Sequence, residues 1–488
     1  MLESGRNCWR IAKADRAALV VDAADYFAMA RHAMLRAKSQ ILLIGWDFDT
    51  RICLDYDADD GAPNELGKFL TWLPKHRPGL QIHILKWNLG AIYLLGRGTT
   101  VLRLMRWARN KQIHFKLDAT HPVGASHHQK IAVIDDALAF CGGIDMTGSR
   151  WDTRDHTDRD ERRRRPTTGR RYPPWHDATM AVDGGAAAAL GDLARERWKI
   201  AGGKPLPKPE GQSEPWPEEL VPQFRDVEVA IARTRAAVEG HEPVREIEAL
   251  FLNMIAGAQR FFYAENQYFS SRAITDAICK RLAEPDGPEF VIVNPKTSQG
   301  WLDDEVMSPA RAELLERIRQ CDTNGRFRIY TPVTEDGEDI YVHSKITIVD
   351  DRQLRVGSAN LNNRSLGFDS ECDLLIDAAL PGNEGAGDAI RERRAELLAE
   401  HLGVSVDRIE AKFAEKGSLI QLIESFSSGR GRGLVGFVAK RLNIIERALV
   451  EAEVMDPESA GDANEPIARP GLLAGLPKRW PLRRRAGA

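Results

Sequence analysis

The chain has 488 residues, which exceeds one ordinary domain and accommodates two of about 200 residues each with further segments. Hydrophobic residues make up 43% and charged residues 28%, as in a soluble globular protein. The formal net charge of −3 excludes a strongly basic nucleic-acid binder on bulk charge, although it leaves local basic patches open.

The first half of the chain alternates helical and strand patterns. In chain order, the predicted elements are a helix at Asp22–Lys38, strands at Gln40–Trp46, Gln81–Trp87 and Ile113–Leu117, and an alanine-rich helix at Gly184–Ile200. Residues 202–223 contain a Gly-Gly pair and six prolines, which is typical of a linker. The prediction is an N-terminal α/β half over residues 1–201 and a linker over 202–223.

The same order of elements repeats after the linker. The predicted elements are a helix at Val244–Ala258, strands at Phe261–Ala264 and Phe290–Val293, a helix at Ser308–Gln320, and a strand at Phe327–Tyr330. Strands that alternate with helices predict βαβ units and a mostly parallel sheet in each half. We expect a second α/β half over 224–380, a helical extension over 381–456, and a flexible tail over 457–488.

The cysteines and the apolar runs predict the compartment. The six cysteines are scattered, without a C-x-x-C pair, so neither a disulfide nor a zinc site is expected, as in a reducing compartment. The N-terminus lacks the apolar core of a secretory signal, and the longest apolar runs are too short to span a membrane. The prediction is a cytoplasmic protein whose membrane contact, if any, is peripheral.

One motif occurs twice in the chain. His128–Asp135 and His343–Asp350 both read H-x-K-x-x-x-x-D, and each is followed at the same distance by a small-residue turn. Gly142–Asp145 and Gly357–Asn360 keep the offset of 215 residues that separates the two motifs. In an extended strand, a histidine and a lysine two residues apart point to the same side. Two such pairs suit phosphodiester chemistry, in which one base attacks and an acid protonates the leaving oxygen.

Together with their flanking segments, these motifs resemble the phospholipase D superfamily. The segments that carry the resemblance are Phe140–Asp145, Arg150–Thr153, Pro174–Asp177, Glu265–Phe269 and Gly357–Ser365. The resemblance runs from about Trp9 to Asp377, and it is closest to the lipid-cleaving members. It implies two similar α/β halves packed about a pseudo-twofold axis, with one active site at their junction. It also implies catalysis through a phosphohistidine, without a metal or another cofactor.

Candidate site residues follow from the motifs and the resemblance. The motif residues are His128, Lys130, Asp135, His343, Lys345 and Asp350. By hypothesis His128 attacks phosphorus, His343 protonates the departing alcohol, and the two lysines neutralise the non-bridging oxygens. The two aspartates of the motifs fall on the opposite strand face from the histidines, so they are interpreted as structural, holding backbone or a basic group.

Further residues are assigned to substrate binding and to orienting the histidines. Asn360 and Ser358 are candidates for hydrogen bonds to phosphate, and Asp145 occupies the place equivalent to Asn360 in the first half. Asp145 is less suited to this role, because a carboxylate repels phosphate unless it bonds a lysine or a backbone amide instead. By the resemblance, Glu371 orients His343 and Asp152 orients His128.

Two basic segments are open to two interpretations. The arginine-rich loop over 158–171 is either a solvated insertion or a site for anionic headgroups near the cleft. The stretch Gly429–Arg447 and the basic C-terminal residues form either a packed helix with a disordered tail or a contact with an anionic membrane surface.

The leading functional hypothesis is a phospholipase D-type phosphodiesterase that hydrolyses or transfers phosphatidyl groups. The alternatives are a cardiolipin-synthase-like transferase, a nuclease, and a non-catalytic scaffold that binds polyanions. The expected partners are a phospholipid substrate, a transient anionic membrane surface, and water or an alcohol as acceptor, with a monomeric chain and no obligatory nucleic acid. The sequence leaves open the headgroup, the acceptor and the identity of the nucleophilic histidine.

Overall fold

A computed structural model describes residues 2–88, 99–211, 213–238, 240–297, 301–426 and 431–437, with backbone alone at 99–102 and 301–310. The tail predicted for 457–488 and most of the stretch Gly429–Arg447 lie outside the described residues. No described helix is both long enough and apolar enough to cross a bilayer.

The first half contributes eight strands and four helices within the described chain. The strands are β1 (Arg10–Val21), β2 (Gln40–Gly45), β3 (Gln81–Trp87), β4 (Ile113–Asp118), β5 (Ile131–Ile134), β6 (Leu138–Gly142), β7 (Trp175–His176) and β8 (Ala178–Asp183). The helices are α1 (Ala23–Leu35), α2 (Leu66–His76), α3 (Thr99–Trp107) and α4 (Gly184–Ile200).

The rest of the described chain repeats this set and adds a helical extension. The strands are β9 (Phe224–Arg235), β10 (Val244–Arg245), β11 (Phe261–Glu265), β12 (Glu289–Val293), β13 (Phe327–Val333), β14 (Tyr341–Val342), β15 (Ile346–Val349), β16 (Gln353–Gly357), β17 (Glu371–Asp377) and β18 (Gly433–Gly436). The helices are α5 (Glu246–Gly257), α6 (Arg272–Leu282), α7 (Trp301–Cys321), α8 (Asn363–Gly367), α9 (Ala386–Leu402), α10 (Val406–Lys416) and α11 (Leu419–Phe426).

Both halves belong to one continuous sheet, which has sixteen strands in the described residues. Its order is β18-β13-β12-β11-β15-β16-β17-β9-β1-β8-β6-β5-β2-β3-β4, with β10 paired to β9. Apart from β18 and β10, the two halves have equivalent orders: β1-β8-β6-β5-β2-β3-β4 in the first half corresponds to β9-β17-β16-β15-β11-β12-β13 in the second. This confirms the predicted α/β fold with two similar halves.

The expectation of mostly parallel pairing is wrong. Within this sheet, parallel pairing is confined to β2-β3-β4 and β11-β12-β13, where helices supply the crossovers. Strands β5 and β6, like β15 and β16, follow each other through tight turns, and such short connections permit only antiparallel pairing. Each half therefore joins a parallel outer part to an antiparallel inner part.

Strands β1 and β9 join the halves, and the sequence did not predict either strand. They pair antiparallel from Arg10 opposite Ile231 to Ala17 opposite Phe224. Asp226, opposite Asp15, is not paired in this ladder and has a positive φ of 53°, but the register is the same on both sides of it. The largest hydrophobic cluster includes buried residues of both halves, so apolar packing runs across this seam. The division at residue 201 stays a prediction, and Trp216 of the proposed linker is buried in the core of the first half.

Two features of the second half differ from expectation. Cys279 of α6 and Cys321 at the end of α7 form a disulfide, so the prediction that the chain lacks disulfides is wrong. The spacing did not reveal this pair because helix packing brings together two cysteines that are 42 positions apart. Gly433–Gly436, at the start of the basic stretch predicted to be helical, pairs as a strand with β13.

The aspartates that end the two motifs fix the start of a neighbouring strand. Asp135 accepts hydrogen bonds from the backbone amides of Lys38, Ser39 and Gln40 at 2.7, 2.9 and 2.6 Å. Asp350 does the same for residues 259–261 at 2.7 to 2.9 Å. These bonds lock the turn after β5 onto β2 and the turn after β15 onto β11, which agrees with the structural interpretation.

We expect Asp135→Ala and Asp350→Ala each to lower the free energy of unfolding by about 2–4 kcal/mol, because each leaves three backbone amides without their charged acceptor. Urea unfolding measured by circular dichroism gives this value. Asp286→Ala, at an exposed position, is the control and should change stability by less than about 0.5 kcal/mol. Unchanged stability in both motif variants would contradict the structural role.

Candidate active site

The two H-x-K segments lie where the halves meet. His128 and Lys130 directly precede β5, and His343 and Lys345 directly precede β15, so the hydrogen-bonded ladder begins one residue after each lysine. The His128 amide donates to the carbonyl of Ser370 at 2.9 Å, and the His343 amide donates to the carbonyl of His176 at 2.7 Å. Each histidine is therefore anchored by backbone of the opposite half.

His128 is oriented by Glu371. Its Nδ1 lies 3.0 and 3.1 Å from the two carboxylate oxygens, and 3.1 Å from the carbonyl of Ser358. Glu371 is buried, and it accepts hydrogen bonds from the hydroxyls of Ser358 at 2.5 Å and Ser365 at 2.7 Å. The two serine hydroxyls thus hold the carboxylate in the position in which it bonds the imidazole.

His343 is oriented by Asp177, whose Oδ2 lies 2.6 Å from Nδ1. A Cβ atom at Gly143 would lie 2.1 Å from Asp177 Oδ1, so the glycine of the small-residue turn leaves room for this carboxylate. Asp177 also accepts from the amide of Ala178 at 2.8 Å. As in the first half-site, Nε2 of the imidazole is left for other partners.

The predicted orienting residues need correction. Glu371 bonds His128, so its assignment to His343 is wrong. Asp152 does not reach His128; it lies 3.0 Å from Nδ1 of His156 and pairs with buried Arg163. Both assignments fail for the same reason. The carboxylate that orients each histidine belongs to the other half of the chain.

Asp177 was missed, although the repeat contains a signal for it. Gly142 pairs with Thr179, and Gly357, its equivalent in the second motif, pairs with Asp373. Two residues before each partner lies the carboxylate, Asp177 in one half and Glu371 in the other. An acidic residue at the start of the last strand of each half would have identified both.

Each lysine contacts its own half-site and also acts electrostatically on the other one. Lys130 Nζ donates to the carbonyl of His128 at 2.7 Å and lies 3.4 Å from Asp145 Oδ2. Lys345 Nζ donates to the carbonyl of His343 and to Gln267 Oε1, the latter at 3.1 Å. Each lysine lowers the pKa of both histidines, so the four groups act on one another electrostatically as a single cluster.

The predicted substrate-binding residues divide into two kinds. Ser358 uses its hydroxyl to hold Glu371, and Asp145 pairs with Lys130 and accepts from the amide of Trp46 at 3.0 Å. Their side chains are therefore committed to protein groups. Asn360 is buried beside them, and its Oδ1 has no hydrogen-bond partner among the described residues, which leaves it as the candidate for contact with a ligand.

Burial and positive charge set the protonation of the site. Desolvation, followed by Lys130 and Lys345, holds the pKa of His128 well below its ordinary value. Desolvation, followed by Lys345 and Arg150, does the same for His343. Burial also raises the pKa of Glu371 to about 8 and lowers that of Lys345 to about 7. The free site thus contains two uncharged imidazoles within a positive field, which is suited to a phosphate anion.

Arg150 was not predicted as a site residue, and Arg163 was predicted only as part of the arginine-rich loop. Arg150 lies with its guanidinium carbon 4.2 Å from the ring centre of Trp175 and contributes to the positive field at His343. Arg163 belongs to the arginine-rich loop, yet it is fully buried and pairs with Asp152 at 3.0 Å. The interpretation of that loop as a solvated insertion is therefore wrong at Arg163.

Comparison with known proteins gives consistent matches. The family model described as phospholipase D matches residues 33–281, and the one described as the phospholipase D-like domain of cardiolipin synthase matches residues 251–385. Phospholipase D1 of Saccharomyces cerevisiae is 25% identical and Phospholipase D A of Dictyostelium discoideum is 24% identical; the matches cover 81% and 79% of this chain. They cover 29% and 35% of those proteins, so the chain spans about a third of their length.

A solved structure shares the fold. The phosphatidylserine synthase of Haemophilus influenzae Rd KW20 aligns with a TM-score of 0.54 at 14% sequence identity, covering 87% of this chain and 97% of that one. The strand order, the repeated motifs at one junction and the family match over about half of the sequence agree. The chain belongs to the phospholipase D superfamily.

Proposed function

We propose that the protein is a phospholipase D-type phosphodiesterase that cleaves the distal phosphodiester of glycerophospholipids and transfers the phosphatidyl group to water or an alcohol. One observation carries the proposal: two imidazoles from different halves, each bonded through Nδ1 to a buried carboxylate, lie in one cluster with two lysines. Such a pair supplies the nucleophile and the acid that a double displacement at phosphorus requires.

In the proposed first step, His128 Nε2 attacks phosphorus and forms a P–N bond. The P–O bond to the headgroup alcohol breaks, and His343, which takes up a proton when the anionic phosphodiester binds, gives its Nε2 proton to the departing oxygen. In the second step, His343 takes a proton from water or an alcohol, whose oxygen displaces His128 from phosphorus. Glu371 and Asp177 stabilise the positive charge that each imidazole carries in turn.

The lysines take the place of a metal in this scheme. Lys130 and Lys345 offer ammonium groups to the two non-bridging oxygens, and their positions are fixed by carbonyl oxygens of the histidine segments. Binding of an anionic phosphodiester compensates the positive field of the empty site, so substrate binding and transition-state stabilisation use the same groups.

A cardiolipin-synthase-like phosphatidyltransferase is the second candidate. The match of residues 251–385 to the cardiolipin-synthase family model favours it. The residues and the first step are the same, and the difference lies in which alcohol enters the second step. For either candidate we propose a peripheral contact with an anionic membrane surface and no requirement for nucleic acid.

Vesicles of phosphatidylcholine and phosphatidylglycerol, with and without ethanol, should distinguish the candidates by lipid chromatography. We expect phosphatidic acid without ethanol and phosphatidylethanol with it. Cardiolipin formed from phosphatidylglycerol, without phosphatidic acid, would favour the second candidate. Plasmid DNA incubated in parallel tests for a nuclease: nicked plasmid with unchanged lipid would overturn both candidates. The His128→Ala protein is the blank for every reaction.

Each histidine should be essential. We expect His128→Ala and His343→Ala each to lower kcat by at least about 100-fold, the scale for losing an acid–base group. His114→Ala, at a half-buried position outside the site, should keep its activity. With a 4-nitrophenyl phosphodiester, whose leaving group needs no acid, His343→Ala should accumulate acid-labile phosphate on His128. Near-normal turnover in either variant would refute the scheme, and label on position 343 of the native enzyme would reverse the roles.

The pH dependence of the reaction rate should show the ionisation of Glu371, which bonds His128. His128 attacks only when Glu371 is ionised and accepts Nδ1–H, because Nε2 then carries the lone pair. Since burial raises the pKa of Glu371 to about 8, kcat should rise with pH up to about that value, whereas kcat/KM should also fall as Lys345, whose pKa is about 7 in the free site, loses its proton. Glu371→Gln should remove this acid limb and lower the plateau by about 100-fold, because the neutral amide stabilises the imidazolium less.

Ser365→Ala is the matched control for the pH profile. The Ser365 hydroxyl lowers the pKa of Glu371, so its loss should shift the acid limb to higher pH and leave the plateau within about threefold. An acid limb that is identical in the native enzyme and in Glu371→Gln would show that another group controls it.

A further inference from the structure

Four buried side chains behind the histidine site converge on one point. Asp22 follows β1, His156 lies in the long loop after β6, His176 ends β7, and Glu400 lies in α9. All four are buried, and one donor atom of each lies within 4.8 Å of the others. None of these side chains has a role in the proposed reaction.

The separations of the donor atoms match those around a small metal ion. Glu400 Oε1 lies 2.9 Å from His176 Nδ1 and 3.2 Å from His156 Nε2. Asp22 Oδ2 lies 3.6 Å from His156 Nε2, and Asp22 Oδ1 lies 3.5 Å from His176 Nδ1. Ligands placed about 2.0–2.1 Å from a tetrahedral zinc ion are roughly 3.3 Å apart, a value within this range.

The outer nitrogen of each imidazole is already held by another carboxylate. Asp152 Oδ2 lies 3.0 Å from His156 Nδ1, and Glu265 Oε2 lies 2.7 Å from His176 Nε2. Metal-bound histidines characteristically donate their second N–H in this way, which fixes the ring and directs the lone pair of the inner nitrogen at the metal. Without a metal, each inner nitrogen would need its own proton to face two carboxylates.

Two of the inner atoms have no hydrogen-bond partner. Asp22 Oδ2 and His176 Nδ1 are fully buried and make no hydrogen bond within the described residues. His176 Nδ1 lies close to Glu400 Oε1, yet the angle is not that of a hydrogen bond. Unpaired buried polar atoms that point to one place indicate a missing partner, because leaving them unpaired is unfavourable.

We propose that Asp22, His156, His176 and Glu400 bind one divalent transition-metal ion, and that Zn²⁺ fits best. Two imidazoles exclude a site designed for Mg²⁺ or Ca²⁺, which prefer oxygen ligands. Four protein ligands in a closed, buried site match structural rather than catalytic zinc. This differs from the expectation of no zinc site, which rested on the absence of clustered cysteines.

The ion would hold the second half-site in place. The amide of Asp177 donates to Asp22 Oδ1 at 2.9 Å, and the Asp22 amide donates to the Asp177 carbonyl at 2.7 Å. Asp177 orients His343, and the carbonyl of His176 accepts from the His343 amide. The metal ligands are therefore positioning residues, and the reaction at phosphorus still proceeds through protein groups alone.

The test is the metal content of the full-length chain, purified without chelator or affinity tag from medium containing zinc and manganese. Mass spectrometry of the elements should find about one zinc per chain. His156→Gln should lower the bound metal at least about tenfold, whereas His83→Gln, at another buried histidine, should retain it. Less than about 0.1 metal per chain in the native protein would overturn the proposal in favour of two buried imidazolium groups.

X-ray absorption of the native protein keeps the test decisive if His156→Gln fails to fold. We expect a shell of nitrogen and oxygen at about 2.0 Å with two imidazoles and no sulfur. A sulfur shell at about 2.3 Å would place the metal at cysteines and refute the site, as would full metal content in a folded His156→Gln protein. Neither measurement depends on the activity proposed above.

Discussion

The interaction on which this structure depends is the hydrogen bond from each imidazole to a carboxylate of the opposite half. His128 from the first half meets Glu371 from the second, and His343 from the second meets Asp177 from the first. Neither half can orient its own histidine, so the site is complete only when both are folded together. The antiparallel β1–β9 pair supplies that constraint, because it fixes the two last strands, β8 and β17, on either side of the seam.

The packing of the two halves also buries the charged groups of the histidine site. Two lysines, the imidazole of His343 and two carboxylates are almost completely excluded from water, which is costly for each ionised group, whereas the His128 side chain is 15% exposed. Part of the cost is offset by local hydrogen bonds, such as those from Lys130 and Lys345 to carbonyl oxygens. The part of this cost that is not offset lowers the pKa of both histidines and raises the pKa of Glu371, because burial favours the uncharged form of each group. A site in this condition gains from binding an anion, and a phosphodiester supplies one.

The sequence predicted those parts of the molecule that local pattern controls. Apolar runs predicted strands β2, β3, β11 and β12, and helical spacing predicted helices α1, α4 and α5. The repeated motif predicted His128 and His343. The central strand β1 escaped prediction because its alanine-rich sequence has little strand propensity and is stabilised by neighbours on both sides. The resemblance assigned Glu371 to the histidine of its own half, whereas the pairing crosses between halves.

The two half-sites are similar in backbone but differ in the charged groups around each histidine. Lys130 lies beside Asp145, and both Asp369 and Asp145 raise the pKa of His128, opposing the lysines. At His343, Lys345, Arg150 and Lys130 all lower the pKa. Lys345 has the neutral Gln267 where Lys130 has a carboxylate. The two histidines therefore differ in their surroundings: carboxylates oppose the lysines at His128, whereas Arg150 adds to them at His343. A fold with two similar halves thus gives its two histidines different electrostatic surroundings, because a few residues around each lysine differ between the halves.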